Sequence, residues 1–477
     1  MTVQPRIRAG WLAGLCAVLV AGCATAPRPA PEPAVEVPPP PAGVRVPVEY
    51  FKLDNGLRVV LSHDSSAPTV TVAVYYHIGF RIEPKGRTGF AHLFEHLMFQ
   101  GSGNLGKMEF IRLVEGSGGV LNGSTRLDFT NYFQIVPAHA LEPILWAEAD
   151  RMRSLAITQE NLVNQQEVVK NEVKVNVLNR PYGGFPWLSM PQVANENWYN
   201  AHNFYGDLED IDAATLEEAQ AFFDTYYAPN NAALVVAGDF DPARVRNWIE
   251  RYFGNIAARP QPARPDISER SQLEPRRVAQ VDALAPRPGL AMAWHVPERG
   301  TPEHYAFGLI DEMLLQGEDS ALWQRLVQER GYSGSVAGGV NLLGNLFNYD
   351  GPMLWTAYLI HDAGTDPDAI LADVEEVIDR LRREPPSPEE FERALTKIRV
   401  SLYSLAGSST RVGLVDMLAC FALFDDDPAR INRIEQEFRA VTPELIQQVA
   451  RDYLRPSNRT VLVLEPGAGR QPGEVQP

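Results

Sequence analysis

The chain is written twice, and that repeat limits the folds open to it. The stretch "HLFEHLMFQG" (92–101) lines up with "GLIDEMLLQG" (308–317) at an offset of 216. "TLEEAQAFFDTYYAPNNAALVV" (215–236) lines up with "TPELIQQVARDYLRPSNRTVLV" (442–463) at an offset of 227. In each copy an alternating strand, "TVTVAVYYHIG" or "GLAMAWHVP", leads into a helix. Later comes an amphipathic helix opened by Thr, then the step Tyr-x-x-Pro-x-Asn and an apolar strand. This order predicts an α+β chain of two homologous α/β-sandwich domains, 45–258 and 277–468. The Pro-rich, charged segment 259–276 reads as the linker between them, and 469–477 as a short tail.

The repeat also separates chemistry from packing. Leu93, Gln100 and Gly101 are kept in the second copy as Leu309, Gln316 and Gly317, whereas His92, Glu95 and His96 become Gly308, Asp311 and Glu312. The helix therefore recurs without its histidines, so the fold does not require them. On a helix, residues four apart differ by about 40° and residues three apart by about 60°, so His92, Glu95 and His96 share a face. Two imidazoles one turn apart suit a single zinc ion, with Glu95 directed at the open coordination position as general base. A catalytic zinc needs a third protein ligand on another element and keeps one position for water. The segment "TQENLVNQQEVVKNEVKVNVL" (158–178) reads as a helix opened by Thr158 and offers Glu160, Glu167 and Glu172. The other histidines, at 63, 77, 139, 202, 295, 304 and 361, show no ligand spacing. Trp146, Trp187, Trp198 and Trp355 read as core or interface, and "RPYGGFPWLSM" (180–190) as a packed loop.

The N-terminus sets the compartment. Arg6 and Arg8, a short apolar run and small residues before Cys23 make a secretory signal over 1–22. "VAGC" resembles a bacterial lipobox, which implies cleavage before Cys23 and lipidation of that cysteine; Ala24 after it favours the outer membrane, facing the periplasm. Eight prolines in the seventeen residues 27–43 make 23–44 an extended tether rather than a core. Of three cysteines, only Cys420 remains once Cys16 leaves and Cys23 is lipidated, so no intramolecular disulfide is expected. A net charge of −17 argues against nucleic acid and against electrostatic binding to anionic lipid, which leaves the lipid as the anchor.

"HLFEH", followed 76 residues after His96 by Glu172 in "VVKNEV", resembles the pitrilysin/insulinase/mitochondrial-processing-peptidase family of inverted-motif zinc peptidases, in its short bacterial two-domain form. The likeness extends through "GGVLNGSTRLDFTNYF" (118–133), "YYAPNNAALVVAGDF" (226–240) and the second copy. It implies half of a clamshell and a zinc metalloendopeptidase acting on extended or unfolded peptides. His92, His96 and Glu172 would hold one Zn²⁺ per chain, Glu95 would act as base and Asn122 would contact substrate. Glu160 is the runner-up ligand; Glu167 is left out, five residues before Glu172 on another helical face. Substrate would add as an extra strand near the zinc. Two departures stand out: Gln165 where the family often has an acid seven residues before the ligand glutamate, and Asn122-Gly123 where it has Asn-Ala, a change expected to loosen the strand. In the family the far half of the clamshell supplies an Arg and, seven residues later, a Tyr. Aligning "ALWQRLVQERGYSGSV" (321–336) places Val327 and Gly334 there; a two-residue shift finds Arg325 and Tyr332. The first register implies a partner, a homologous metal-free subunit carrying the pair, and the second a homodimer. The rival reading is a non-catalytic scaffold or peptide-holding envelope lipoprotein of the same fold.

Overall fold

The protein is described here by a computed structural model covering residues 45–467. The signal, the Cys23 anchor, the tether up to residue 44 and the tail 469–477 lie outside the described residues. Eleven strands fall into two sheets. The first holds β1 (Glu49–Lys52), β2 (Arg58–His63), β3 (Thr69–Tyr76), β4 (Val120–Thr125), β5 (Thr130–Pro137) and β6 (Ala232–Gly238), in the order β1-β2-β6-β3-β5-β4. The second holds β7 (Arg276–Asp282), β8 (Gly289–His295), β9 (Ala337–Val340), β10 (Leu354–Ile360) and β11 (Arg459–Pro466), in the order β7-β11-β8-β10-β9. Without β1 the two orders coincide. The parallel pair β2 and β6 matches the parallel pair β7 and β11, and every other pairing is antiparallel. The repeat in sequence is thus a repeat in topology, and the α+β class stands.

The helices begin where the sequence places caps. Thr215 accepts a hydrogen bond from the Glu218 N–H in a full capping box, Thr442 accepts from Leu445, and Thr158 accepts from Asn161. In both copies the Tyr-x-x-Pro-x-Asn step becomes a single 3-10 turn, Pro229–Asn231 or Pro456–Asn458, that feeds a central strand. Gly123 sits opposite Tyr132 in an unbroken ladder from Val120 to Thr125.

The central strands β3, β6 and β8 are buried at nearly every position instead of on alternate residues. Both of their faces are covered, which allows continuous apolar runs. One face of each sheet packs on its own domain's helices. The other is closed by the opposite half of the chain. Leu414, Val415, Leu418 and Cys420, on the helix Val412–Cys420, pack on Val60, Ala73, Tyr75 and Val235 of the first sheet. In return Phe185, Met190 and Ala194 pack on Ala291, Ala293, Leu354, Leu462 and Leu464 of the second. The segment read as a packed loop is therefore a lid on the other domain's sheet.

Polar contacts fix the exchange. Arg411 donates to Asp64 Oδ2 at 2.8 Å and to the Thr69 carbonyl at 3.2 Å. Tyr75 O–H donates to Asp416 Oδ1 at 3.0 Å, and on the other side the Tyr182 N–H donates to Asp282 Oδ2 at 2.8 Å. Buried Cys420 is a free thiol within this layer. Each fully buried Leu or Val here contributes about 1.5–3 kcal/mol.

The exchange makes each half depend on the other. Residues 45–258 expressed alone should be insoluble or bind a hydrophobic dye, and co-expression with 277–467 should give a soluble one-to-one complex. Leu418→Ala should cost about 2–5 kcal/mol in denaturant unfolding of the whole chain. A cooperative, monomeric 45–258 fragment would overturn this account.

Candidate metal centre

The motif lies on the short helix Phe90–Leu97, which has no side-chain cap of its own and starts at Gly89 with φ +83°. The fully buried Glu83 serves instead: its carboxylate accepts from the Gly89 N–H at 2.9 Å and the Ala91 N–H at 2.7 Å. A negative group at a helix N-terminus satisfies open N–H groups and suits the dipole. His92 and His96 then project toward the helix Gln159–Val173, whose last turn carries Glu172. Directly after it the backbone widens into a π-type turn, Lys174–Leu178.

Three donor groups converge. His92 Nε2 and His96 Nε2 are 3.3 Å apart. Glu172 places Oε1 3.5 Å from His92 Nε2 and Oε2 3.2 Å from His96 Nε2. Ligand atoms around a tetrahedral zinc, with bonds near 2.0–2.2 Å, stand roughly 3.3–3.6 Å apart. The imidazole pair and the His96–Oε2 contact fall close to that spacing, and one donor atom from each of the three residues lies within 4.8 Å of the others. Among the described residues this is the one group of three or more His, Cys, Asp or Glu side chains arranged to hold a metal ion. The side chains of His92, His96 and Glu172 are 4, 21 and 32 % exposed, so the cluster is walled on the His92 side and open on the other. Hydrogen bonds from the two imidazoles and from Tyr205 hold the Glu172 carboxyl well below the usual carboxylate range.

Glu95 is half-buried beside β4, where its Oε2 accepts from Thr125 Oγ1 at 2.8 Å and its Oε1 has no partner among the described residues. Gly123 lies beneath it; a methyl there would meet Glu95 Cγ at 3.4 Å. Asn122 is exposed on β4, an outer strand of the sheet, and its Oδ1 accepts from the Gly123 N–H. Glu160 is exposed at the opposite end of the helix, twelve residues or about 18 Å from Glu172, and is not in the cluster. Glu167 pairs with Lys170 at the surface. Gln165 is buried, and its amide donates to Asn164. Sequence reasoning missed Glu83, Thr125 and Tyr205. Only Thr125 left a sign, lying on the same strand as Asn122.

The second copy has no room for the histidines of the first. A methyl on Gly308 would stand 2.7 Å from Leu346 Cδ2 and 3.1 Å from Phe438 Cε1, so no imidazole fits. Asp311 accepts from Trp355 Nε1 at 2.6 Å, and burial pushes its carboxyl up to about 6. Burial and the neighbouring Asp311 push Glu312 up to about 7. Lys397 spans the position with donations to the Glu312 and Gln316 carbonyls. Arg325 and Tyr332 are likewise engaged within the chain. Arg325 Nε and Tyr332 O–H each donate to Asp373 at 2.7 Å, alongside Arg330. Val327 packs against the second core, and Gly334 is exposed.

With this geometry in hand, comparison with known proteins is direct. The insulinase (peptidase family M16) profile matches residues 58–182, which contain all three donors, and the peptidase M16 inactive-domain profile matches 213–398. The chain belongs to the M16 peptidase family. It is 24 % identical over 432 residues to the zinc protease PqqE of Helicobacter pylori, covering 88 % of this chain and 93 % of that one. The crystal structure of a protease from H. pylori superposes with a TM-score of 0.81 at 23 % identity, covering 89 % of this chain and 100 % of that one. The periplasmic protease PqqL of Escherichia coli gives 0.72 at 15 % identity, covering 89 % of this chain and 48 % of PqqL. The M16 fold here is the two-domain half of a clamshell.

Proposed function

We propose that this M16 chain is a zinc-dependent endopeptidase that cuts extended or unfolded peptides. The observation that carries the proposal is the convergence of His92, His96 and Glu172, one donor atom from each lying within 4.8 Å of the others. These residues would hold one zinc ion, which when bound lowers the pKa of water to about 7 and polarises a carbonyl. Glu95 takes the proton of the attacking water on its free Oε1 and returns it to the leaving amine, while Thr125 keeps the carboxylate from turning away. The outer strand β4 offers unpaired backbone groups beside Glu95, so a peptide can add there as a strand with Asn122 against its main chain. An extended or unfolded peptide has its backbone groups free for that pairing.

Two further parts of the proposal concern context. Because Asp373 already holds Arg325 and Tyr332, the Arg/Tyr pair expected opposite the metal would come from a homologous metal-free subunit. Lipidation of Cys23 would place the enzyme in the bacterial envelope, in keeping with the periplasmic setting of PqqL.

Wild-type protein should hold about one zinc per chain and hydrolyse an unfolded peptide. Glu95→Gln, whose amide oxygen can still accept from Thr125, should keep zinc and lose about 10²–10⁴-fold in turnover, and His96→Ala should lose both. Unchanged turnover in the Glu95→Gln protein sinks the assignment; zinc without hydrolysis in the wild type favours the scaffold reading.

Cys23→Ser should release the protein from the membrane fraction or leave an unprocessed precursor. Wild-type processing and membrane association in that variant would refute the anchor.

The purified chain should be weakly active alone and gain at least tenfold on mixing with a homologous subunit that carries the Arg/Tyr pair. Full activity alone, abolished by Tyr332→Phe, would show that a homodimer suffices.

A further inference from the structure

Metal ligands need partners of their own, because a free carboxylate or imidazole spends much of its time turned away from the ion. In this site the usual devices are missing. His92 Nδ1 is buried with no hydrogen-bond partner among the described residues, so no acceptor fixes its ring. The acid expected seven residues before Glu172 is Gln165, whose amide turns to Asn164.

Tyr205 meets both needs at once. Its O–H donates to Glu172 Oε1 at 2.7 Å, and its ring stacks on His92 with centroids 4.8 Å apart and planes at 25°. Engaging Oε1 leaves Oε2, the oxygen 3.2 Å from His96 Nε2, to meet the ion. A neutral phenol does this without adding a second negative charge.

Tyr205 is itself firmly placed. Its N–H donates to Asn203 Oδ1 at 3.2 Å, and Trp187 stands edge-on to its ring at 5.4 Å and 85°. The next residue, Gly206, has φ +92° and crosses the start of the motif helix so closely that a methyl on it would lie 2.6 Å from Gly89 Cα. The chain can pass there only as glycine on glycine, and that crossing sets Tyr205 beside His92.

We infer that Tyr205 is the positioning residue of this metal site, holding Glu172 through its hydroxyl and His92 through its ring in place of an acid at position 165. The inference rests on the zinc reading of the site.

The test is zinc affinity of the full chain, measured by competition with a chromophoric chelator, together with the absorption spectrum of the cobalt(II)-substituted protein. Tyr205→Phe keeps the stack and should weaken zinc by about 10–100-fold, alter the cobalt spectrum and leave the Tm of the metal-free protein unchanged. Tyr205→Leu should weaken zinc further, and Gln165→Ala should not change it. If wild type binds zinc, His96→Ala does not, and Tyr205→Phe matches wild type in affinity and spectrum, the inference fails while the zinc reading stands. An equal loss of Tm in metal-free Tyr205→Phe would mark a merely structural role and overturn it. A wild-type chain that binds no zinc overturns both.

Discussion

Each sheet is closed by a piece of the other half, and the rest of the molecule follows from that. A sheet with both faces covered can use unbroken apolar strands, and β3, β6 and β8 do. Because the covering pieces are exchanged, pulling the domains apart would bare two apolar faces at once. The described residues accordingly form one compact unit. The exchanged segment 180–194 also reaches the metal site, since its Trp187 buttresses Tyr205. The second domain thus has a mechanical hold on a site to which it gives no donor.

The site itself is assembled from short, stiff parts. The motif helix is only eight residues long and would be marginal in isolation. Glu83 at its start, β4 along its side and the helix carrying Glu172 across from it give it a single position. The two imidazoles already face a carboxylate, with one donor atom from each residue within 4.8 Å of the others. Glu95 is held through its Oε2 by Thr125. This is preorganisation by packing and hydrogen bonds.

Much of this was legible in the sequence, and the parts that were not share a reason. Strands, caps and the doubled topology are local or periodic signals, so β3, Thr158, Thr215 and Thr442 could be read directly. His92, Glu95 and His96 fall on one helical face by arithmetic. Glu172 could not be chosen over Glu160 or Glu167 by spacing alone; resemblance singled it out, and the fold brings it to the histidines. Tyr205, Glu83 and the exchange of 180–194 for 412–420 depend on which segments meet in space. No period in the chain encodes that, and a loop rich in aromatics looks the same whether it covers its own domain or its neighbour.

Gly308 decides what the second copy can hold. Leu346 and Phe438 stand within 2.7–3.1 Å of where a β-carbon would be, and Lys397 donates to the carbonyls nearby. A histidine placed at 308 would collide with the core before it could meet any ion. The packing of the second copy thus closes that position to metal ligation. Any second centre in such a molecule would have to arise somewhere else.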